Sequence, residues 1–394
     1  MNSEEIFALS DRCVMQTYRR YPLALVRGRG MTVWDADGRE YLDFLAGIAV
    51  CSLGHCHPLV SHAIAEQAKT LMHVSNLYYI EPQAKLAALL TEKSFADRVF
   101  FCNSGAEANE AAIKLARRYA REIQKIEMPE IITMEKSFHG RTMATLSATG
   151  QEKIQTGYQP LLAGFRYVPF GDSSAVARAV NENTCAVMVE PIQGEGGVNV
   201  PASGYLQELR RICDDHNLLL ILDEVQCGMG RTGRLFAYQH EGIEPDVMTL
   251  AKALGAGFPI GAMLASQKAA DVFGPSSHAS TFGGNPLACS AALAVLQALD
   301  TDDVLGNCKK MGNCLRGRLA RLKESKKSIS EIRGLGLMVG VELTVPVADV
   351  IDRCRERGVL VGPAGEKTLR LTPPLVVTET DIDRLVEVLE EVLP

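Results

Sequence analysis

The strongest constraint on this chain is a set of short, unbroken apolar runs. They are Val99–Cys102, Ile131–Met134, Cys185–Val189, Leu218–Leu222 and Val247–Leu250. None alternates apolar with polar residues, so each reads as a strand buried on both faces. Segments of helical periodicity, such as Leu59–Leu71, Gln83–Lys93 and Ala106–Gln124, lie between and before them. Doubly buried strands alternating with helices make a mostly parallel sheet with helices on both faces, an α/β fold.

The two ends of the chain follow a different pattern. From Met1 to Asp43 the sequence reads as a short helix and then the extended pieces Met31–Trp34 and Glu40–Asp43. Turns come from Val26-Arg27-Gly28-Arg29-Gly30 and from Asp35-Ala36-Asp37-Gly38. After a long helix at Pro286–Leu299, the segments Gly334–Leu343, Val359–Val361 and Thr368–Leu371 read as strands and Thr380–Val392 as a final helix. A chain of 394 residues exceeds one ordinary core. The expected organisation is a large domain over 59–289, with a smaller α/β domain assembled from both ends, 1–58 and 290–394.

Composition narrows the function by exclusion. A net charge of -6 gives no reason to expect nucleic acid or an anionic membrane as partner. No apolar run approaches the roughly 20 residues that span a bilayer. The opening Met1-Asn2-Ser3-Glu4-Glu5 is acidic and has no signal-peptide core, so a cytoplasmic address is expected. The 11 cysteines include no CxxC pair and suit a reducing compartment. His57 precedes Pro58, and no second ligand pair comes after the Cys51…His55-Cys56-His57 cluster, so no metal is expected.

In open α/β sheets ligands bind beyond the carboxyl ends of the strands, which makes the residues after each run the candidates. Ser104-Gly105-Ala106-Glu107 follows Val99–Cys102 and opens a helix, whose unpaired N–H groups favour a phosphate. Taken alone, an ordinary capped helix explains it better. Asp223 ends the run Leu218–Leu222, where a buried carboxylate needs a partner such as a cationic ring nitrogen; a plain strand-end cap is the competing reading. Lys252 follows Val247–Leu250 among small residues, and a desolvated lysine is a usable nucleophile toward a carbonyl. A lysine reaching the surface is the blander account. Phe138, Gly140 and Arg141 follow Ile131–Met134 and offer a ring to stack and a cation for a carboxylate. Together these parts are what pyridoxal 5'-phosphate (PLP) needs, all at one mouth of one sheet.

A rival signal is Gly228-Met229-Gly230-Arg231-Thr232-Gly233, which matches GxGxxG and points to an NAD-dependent dehydrogenase. That fingerprint belongs in the turn opening a crossover helix. Here Asp223–Gln226 intervene after the run, and Gly242 and Pro245 break the short aromatic stretch after Gly233.

At these positions the chain resembles the class III, fold-type I aminotransferases, from Tyr18 to Arg370. The resemblance is carried by Gly47-Ile48-Ala49-Val50, by Leu53-Gly54-His55-Cys56-His57-Pro58 and by Asn103-Ser104-Gly105-Ala106-Glu107-Ala108-Asn109-Glu110. It continues in Ser137-Phe138-His139-Gly140-Arg141-Thr142, Glu190-Pro191-Ile192-Gln193-Gly194-Glu195-Gly196-Gly197 and Leu222-Asp223-Glu224-Val225-Gln226. Ala251-Lys252-Ala253-Leu254-Gly255, Ser280-Thr281-Phe282-Gly283-Gly284-Asn285-Pro286 and Leu369-Arg370-Leu371-Thr372-Pro373-Pro374 complete it.

The resemblance implies PLP joined to Lys252, with Asp223 on its pyridine nitrogen. It places Val225 and Phe138 on the two ring faces and Gln226 near the 3-hydroxyl. Ser104, Gly105 and Ala106 would hold the phosphate, with Thr281 contributed by the partner of a homodimer. Arg141 and Arg370 would bind substrate carboxylates, Glu195 would mask or free Arg370, and Tyr18 and Ser280 would complete the substrate side. Within the family the wording is most similar to the N-acetylornithine branch, which implies N-acetylornithine and 2-oxoglutarate as substrates and glutamate as product. N-succinyl-diaminopimelate is a plausible second donor; ornithine, succinylornithine and 4-aminobutyrate stay open, as does a PLP mutase or decarboxylase. Cys51 is a departure, standing where the family more often has Asn.

Overall fold

A computed structural model describes residues 1–394. A helix over Ser3–Cys13 is followed by β1 (Leu25–Arg29), β2 (Thr32–Asp35) and β3 (Glu40–Asp43), an antiparallel meander. The segment expected as a turn, Val26–Gly30, is mostly the strand β1. Its residues are largely exposed, so no apolar signature marks them, and the turn itself falls at Gly30, whose φ is 57°.

The central sheet has seven strands: β4 (Arg98–Cys102), β5 (Glu130–Met134), β6 (Phe165–Val168), β7 (Thr184–Val189), β8 (Leu219–Asp223), β9 (Val247–Leu250) and β10 (Gly261–Ala265). Their order is β4-β10-β9-β8-β7-β5-β6. Every expected apolar run lies in one of these strands. In β8, Leu219 and Ile221 join the core beneath the helix Gly105–Tyr119, while Leu220 and Leu222 join the core on the other face. Burial on both sides removes any need for polar alternation.

Two strands of this sheet escaped the sequence reading. β10 runs antiparallel to both β4 and β9, so the sheet is not wholly parallel. Its Gly-Ala-Met-Leu-Ala sequence is fully buried yet too rich in small residues to stand out. β6 is an edge strand with Arg166 and Tyr167 exposed.

The chain ends supply two four-stranded sheets. The segment Gly334–Leu343, expected as one strand, is part of a hairpin of β11 (Ile329–Leu335) and β12 (Met338–Leu343), turning at Gly336. β13 (Val359–Leu360) lies parallel to β3, pairing Val359 with Leu42, and so closes the N-terminal meander. β14 (Gly362–Ala364) and β15 (Thr368–Leu371) complete the second sheet beside β12. A helix over Val304–Ser325, not anticipated, packs Leu315, Leu319 and Leu322 inward. No helix is long and apolar enough to cross a membrane.

One short segment is unusual. Ala46, Gly47, Ile48 and Ala49 all have φ between 52° and 63°, a turn of left-handed backbone that L-residues other than glycine adopt at a cost. Asp43 holds its start, with Oδ1 accepting the Leu45 and Ala46 N–H groups at 2.9 and 2.8 Å. Its Oδ2 lies 2.8 Å from Nε2 of His55.

Candidate active site

The carboxyl ends of β4, β5, β8 and β9 open onto a cavity of about 420 Å³. Ser104, Gly105, Ala106, Phe138, Arg141, Asp223, Val225, Gln226 and Lys252 all line it. A larger cavity of about 620 Å³ beneath the first helix, lined by Ile6, Phe7 and Arg355 among others, takes none of them.

Asp223 is the last residue of β8 and only 3% exposed. Oδ1 accepts the Val225 N–H at 3.0 Å; Oδ2 accepts from Asn109 Nδ2 at 2.7 Å and meets His139 Nδ1 at 2.8 Å. That His139 contact requires the proton on Nδ1. Burial alone would depress the His139 pKa, but the Asp223 carboxylate overcomes it and the net direction is upward. Asn109 is itself fixed, accepting from Thr249 Oγ1 at 2.7 Å. The acid is thus oriented by three residues, with Thr249 behind one of them, and it still faces the cavity.

Lys252 follows β9 at φ 44°, a strained conformation of the kind that collects at functional sites. Burial depresses its amine pKa; the carboxylates of Glu195, Asp223 and Glu190 pull the other way, and the Arg370 cation adds to the fall. Opposite, Ser104 caps the helix Gly105–Tyr119, its Oγ accepting the Glu107 N–H at 3.2 Å. The first N–H groups of that helix have no partner within it and face the cavity from Gly105 and Ala106. Arg141 sits exposed at the rim, its guanidinium carbon 5.7 Å from the Phe138 ring centre.

Five predicted residues, Tyr18, Glu195, Ser280, Thr281 and Arg370, stand outside that lining. Arg370, on β15, is 2% exposed and does not line the cavity; it is ion-paired with Glu195 and donates to Gln226 Oε1 at 3.2 Å. Gln226 donates in turn to Glu195 Oε1 at 3.2 Å. Burial would raise the Glu195 pKa, yet the adjoining guanidinium brings it below the ordinary carboxylate value. Ser280 Oγ accepts from Asn103 Nδ2 at 3.2 Å, beside the helix start, whereas Thr281 is exposed. Tyr18 is 74% exposed and 5.9 Å from the Arg20 guanidinium.

The sequence reading passed over residues that belong here. His139 and Asn109 brace Asp223, and their part depends on contacts across 84 and 114 residues. Glu190 was legible: it follows β7 as Asp223 ends β8, a buried carboxylate needing partners. It takes the Phe138 and Gly194 N–H groups at 2.9 and 3.1 Å, and burial pushes its pKa up to about 7. The GxGxxG stretch has no dinucleotide geometry. Only a one-turn 3-10 helix, Ala237–His240, comes after it, not a crossover α-helix, and side chains at Gly230 and Gly233 would run into Leu305 and Lys309 of a neighbouring helix.

Known proteins match this arrangement throughout. The family model described as aminotransferase class-III covers residues 14–393. An acetylornithine aminotransferase of Caldanaerobacter subterraneus subsp. tengcongensis is 53% identical over 381 residues, covering 96% of this chain and 97% of that protein. An ornithine aminotransferase structure from Toxoplasma gondii, with partial occupancy of PLP at its active site, superposes with a TM-score of 0.97 at 36% identity, over 100% of this chain and 94% of the other. N-acetylornithine aminotransferase from Stenotrophomonas maltophilia gives a TM-score of 0.85 at 41% identity, covering 98% of both chains. Likeness of this extent, running over nearly the whole length of the chain, means that the chain belongs to the class-III aminotransferase family.

Proposed function

We propose that this enzyme transfers the ω-amino group of N-acetylornithine to 2-oxoglutarate with PLP as cofactor, giving N-acetylglutamate semialdehyde and glutamate. The observation that carries the reading is the meeting, in one cavity, of a lysine with a depressed pKa, a braced carboxylate and an open helix start. The donor is supported by 53% identity to an acetylornithine aminotransferase, against 36% to the ornithine enzyme of near-identical shape.

The residues present fit the cofactor. A Cβ on Gly105 would lie 2.8 Å from Val225 Cγ1, and one on Gly140 2.8 Å from the Ala106 Cβ, so side chains at either would fill the cradle. In this reading Lys252 carries the cofactor, Asp223 takes its ring nitrogen, Phe138 and Val225 flank the ring, and Gln226 lies by its hydroxyl. Ser104, Gly105 and Ala106 hold its phosphate. Bound there, PLP supplies an electron sink for the carbon that loses a proton. Lys252 Nζ would take up that proton and give it back, and its depressed pKa keeps more of the amine neutral near pH 7. Arg141 binds one carboxylate at the rim. Glu195 stays on Arg370 while the donor reacts and yields it to the carboxylate next to the reacting carbon of 2-oxoglutarate. A pair of arginines for alternating substrates distinguishes transfer from a mutase or decarboxylase, which needs no such alternation. Tyr18 and Ser280 stand on the substrate side.

The same reading includes a homodimer, with Thr281 reaching the partner's phosphate site. What supports it is an exposed apolar patch beside Thr281, formed by Leu77, Tyr78, Tyr79 and Phe282. Asn76 ties the patch together, donating to the Ser280 and Gly283 carbonyls at 3.2 and 2.8 Å. The large domain is taken as 59–289, and a cytoplasmic site is supported by 11 cysteines, none in a disulfide.

The test is the visible absorption of PLP-loaded protein titrated with single donors. Loss of the band with N-acetylornithine and its return with 2-oxoglutarate is the expected result. Bleaching only with ornithine, N-succinyl-diaminopimelate, succinylornithine or 4-aminobutyrate would keep the chemistry and replace the donor. No band at all would end the proposal.

A further inference from the structure

We infer that Arg231 is a positioning residue that sets where Arg370 stands, by clamping the end of the strand that carries it. The inference rests on the reading of Arg370 as a carboxylate-binding arginine.

Arg231 is 0% exposed, yet no carboxylate answers its charge. Nη1 donates to the Leu337 carbonyl at 3.2 Å and to the Pro373 carbonyl, while Nε and Nη2 have no partner. The two acceptors face each other. β12 pairs with β15 through Val339 opposite Leu371 and Gly340 opposite Arg370, and continuing that register places Leu337 opposite Pro373. Pro373 has no N–H to extend the ladder. The guanidinium therefore closes the ladder from outside, with one nitrogen shared by both strands.

The backbone makes the same connection. The Arg231 carbonyl accepts the Leu337 N–H at 3.1 Å, and a Cβ on Gly336 would lie 2.6 Å from that carbonyl. Arg231 also belongs to the segment that leaves β8 through Asp223 and Gln226. That single segment thus meets β15 at two points: Gln226 on the Arg370 side chain and Arg231 on the strand end just beyond it. Burial pulls the Arg231 pKa down to about 10, the mark of a cation held at a cost. An apolar residue of similar size would serve packing with less penalty. What it lacks is a donor that reaches two carbonyls on facing strands.

The experiment compares Arg231→Lys and Arg231→Met with the parent, all as PLP-loaded enzyme, with each half-reaction followed alone by absorbance. Misplacing Arg370 should raise the 2-oxoglutarate concentration for half-saturation by about tenfold to a hundredfold. The N-acetylornithine half-reaction should stay within about twofold, because it does not call on Arg370. Arg370→Lys serves as the reference and must itself raise the 2-oxoglutarate requirement. In the Arg231→Lys, Arg370→Lys double variant the two effects should not add. Equal weakening of both half-reactions, or full additivity, would overturn the inference and leave Arg231 a merely structural residue. An unchanged 2-oxoglutarate requirement in Arg370→Lys would instead overturn the reading of Arg370. Should neither Arg231 variant fold, Gly336→Ala disturbs the same contact from the facing turn. Loss confined to the 2-oxoglutarate half supports the clamp; loss shared by both halves refutes it.

Discussion

His55 and Asp43 illustrate how much one half-buried histidine on a buried carboxylate can govern. The hydrogen bond to Asp43 is the largest influence on His55 and, with the nearby Cys51 thiol, brings its pKa up to about 10. A histidine raised in the folded state contributes stability fully below its unfolded value, near pH 6.5. That contribution is lost as pH climbs through the folded value. The expected outcome is a thermal midpoint that declines between about pH 6.5 and 10, with the decline flattened in His55→Gln. Calorimetry across that range measures it; an equal slope in the variant would mean the pair carries none of it. The same Asp43 holds the start of the left-handed turn, so the pair braces strained backbone next to Val50, which lines the cavity.

That turn is the element where local preference and structure disagree most. Ile48 is β-branched, has φ 63° and is 37% exposed. Left-handed backbone costs an L-residue about 1–2 kcal/mol, and glycine's extra freedom in the unfolded chain gives back about 0.5–1 kcal/mol. Against that gain stands the covered part of a side chain that is only 37% exposed, worth about 1–2 kcal/mol, so Ile48→Gly should leave the urea midpoint nearly unchanged. An earlier midpoint would show that the side chain matters more than the backbone. Other elements were legible in proportion to their bulk. Cys185–Val189 and Leu218–Leu222 declared themselves because large apolar side chains fill both faces. β10 hid because glycine and alanine bury without looking hydrophobic. Lys252 and Asp223 were readable as charges ending buried strands, while the bond from Glu195 to Arg370 spans 175 residues and leaves no local trace. The letters of GxGxxG were read correctly, but their geometry serves a clamp on a neighbouring sheet.

At the scale of the molecule, the apolar patch around Tyr79 is the surface on which the proposed homodimer would form. Tyr79 is fully exposed, and Leu77, Tyr78 and Phe282 extend the surface next to Thr281. A patch of this kind on a lone chain calls for a partner. On the proposed homodimer, in which Thr281 completes the partner's phosphate site, Tyr79→Arg should shift sedimentation from dimer to monomer and weaken PLP retention together. Dissociation without loss of PLP would separate the two roles. The pairing of β3 with β13 has a consequence of another kind, in the order of manufacture. The ribosome delivers β1, β2 and β3 first, yet the strand that covers their open edge is among the last to emerge. An unpaired edge is a template for misassociation. Through most of synthesis the open edge of the nascent meander has no partner strand, whereas the central sheet has all its strands once Ala265 is made, well before β13 emerges. The part of the protein that is made first is therefore the part that must wait, and its exposure to chaperones and to other nascent chains lasts nearly the whole of translation.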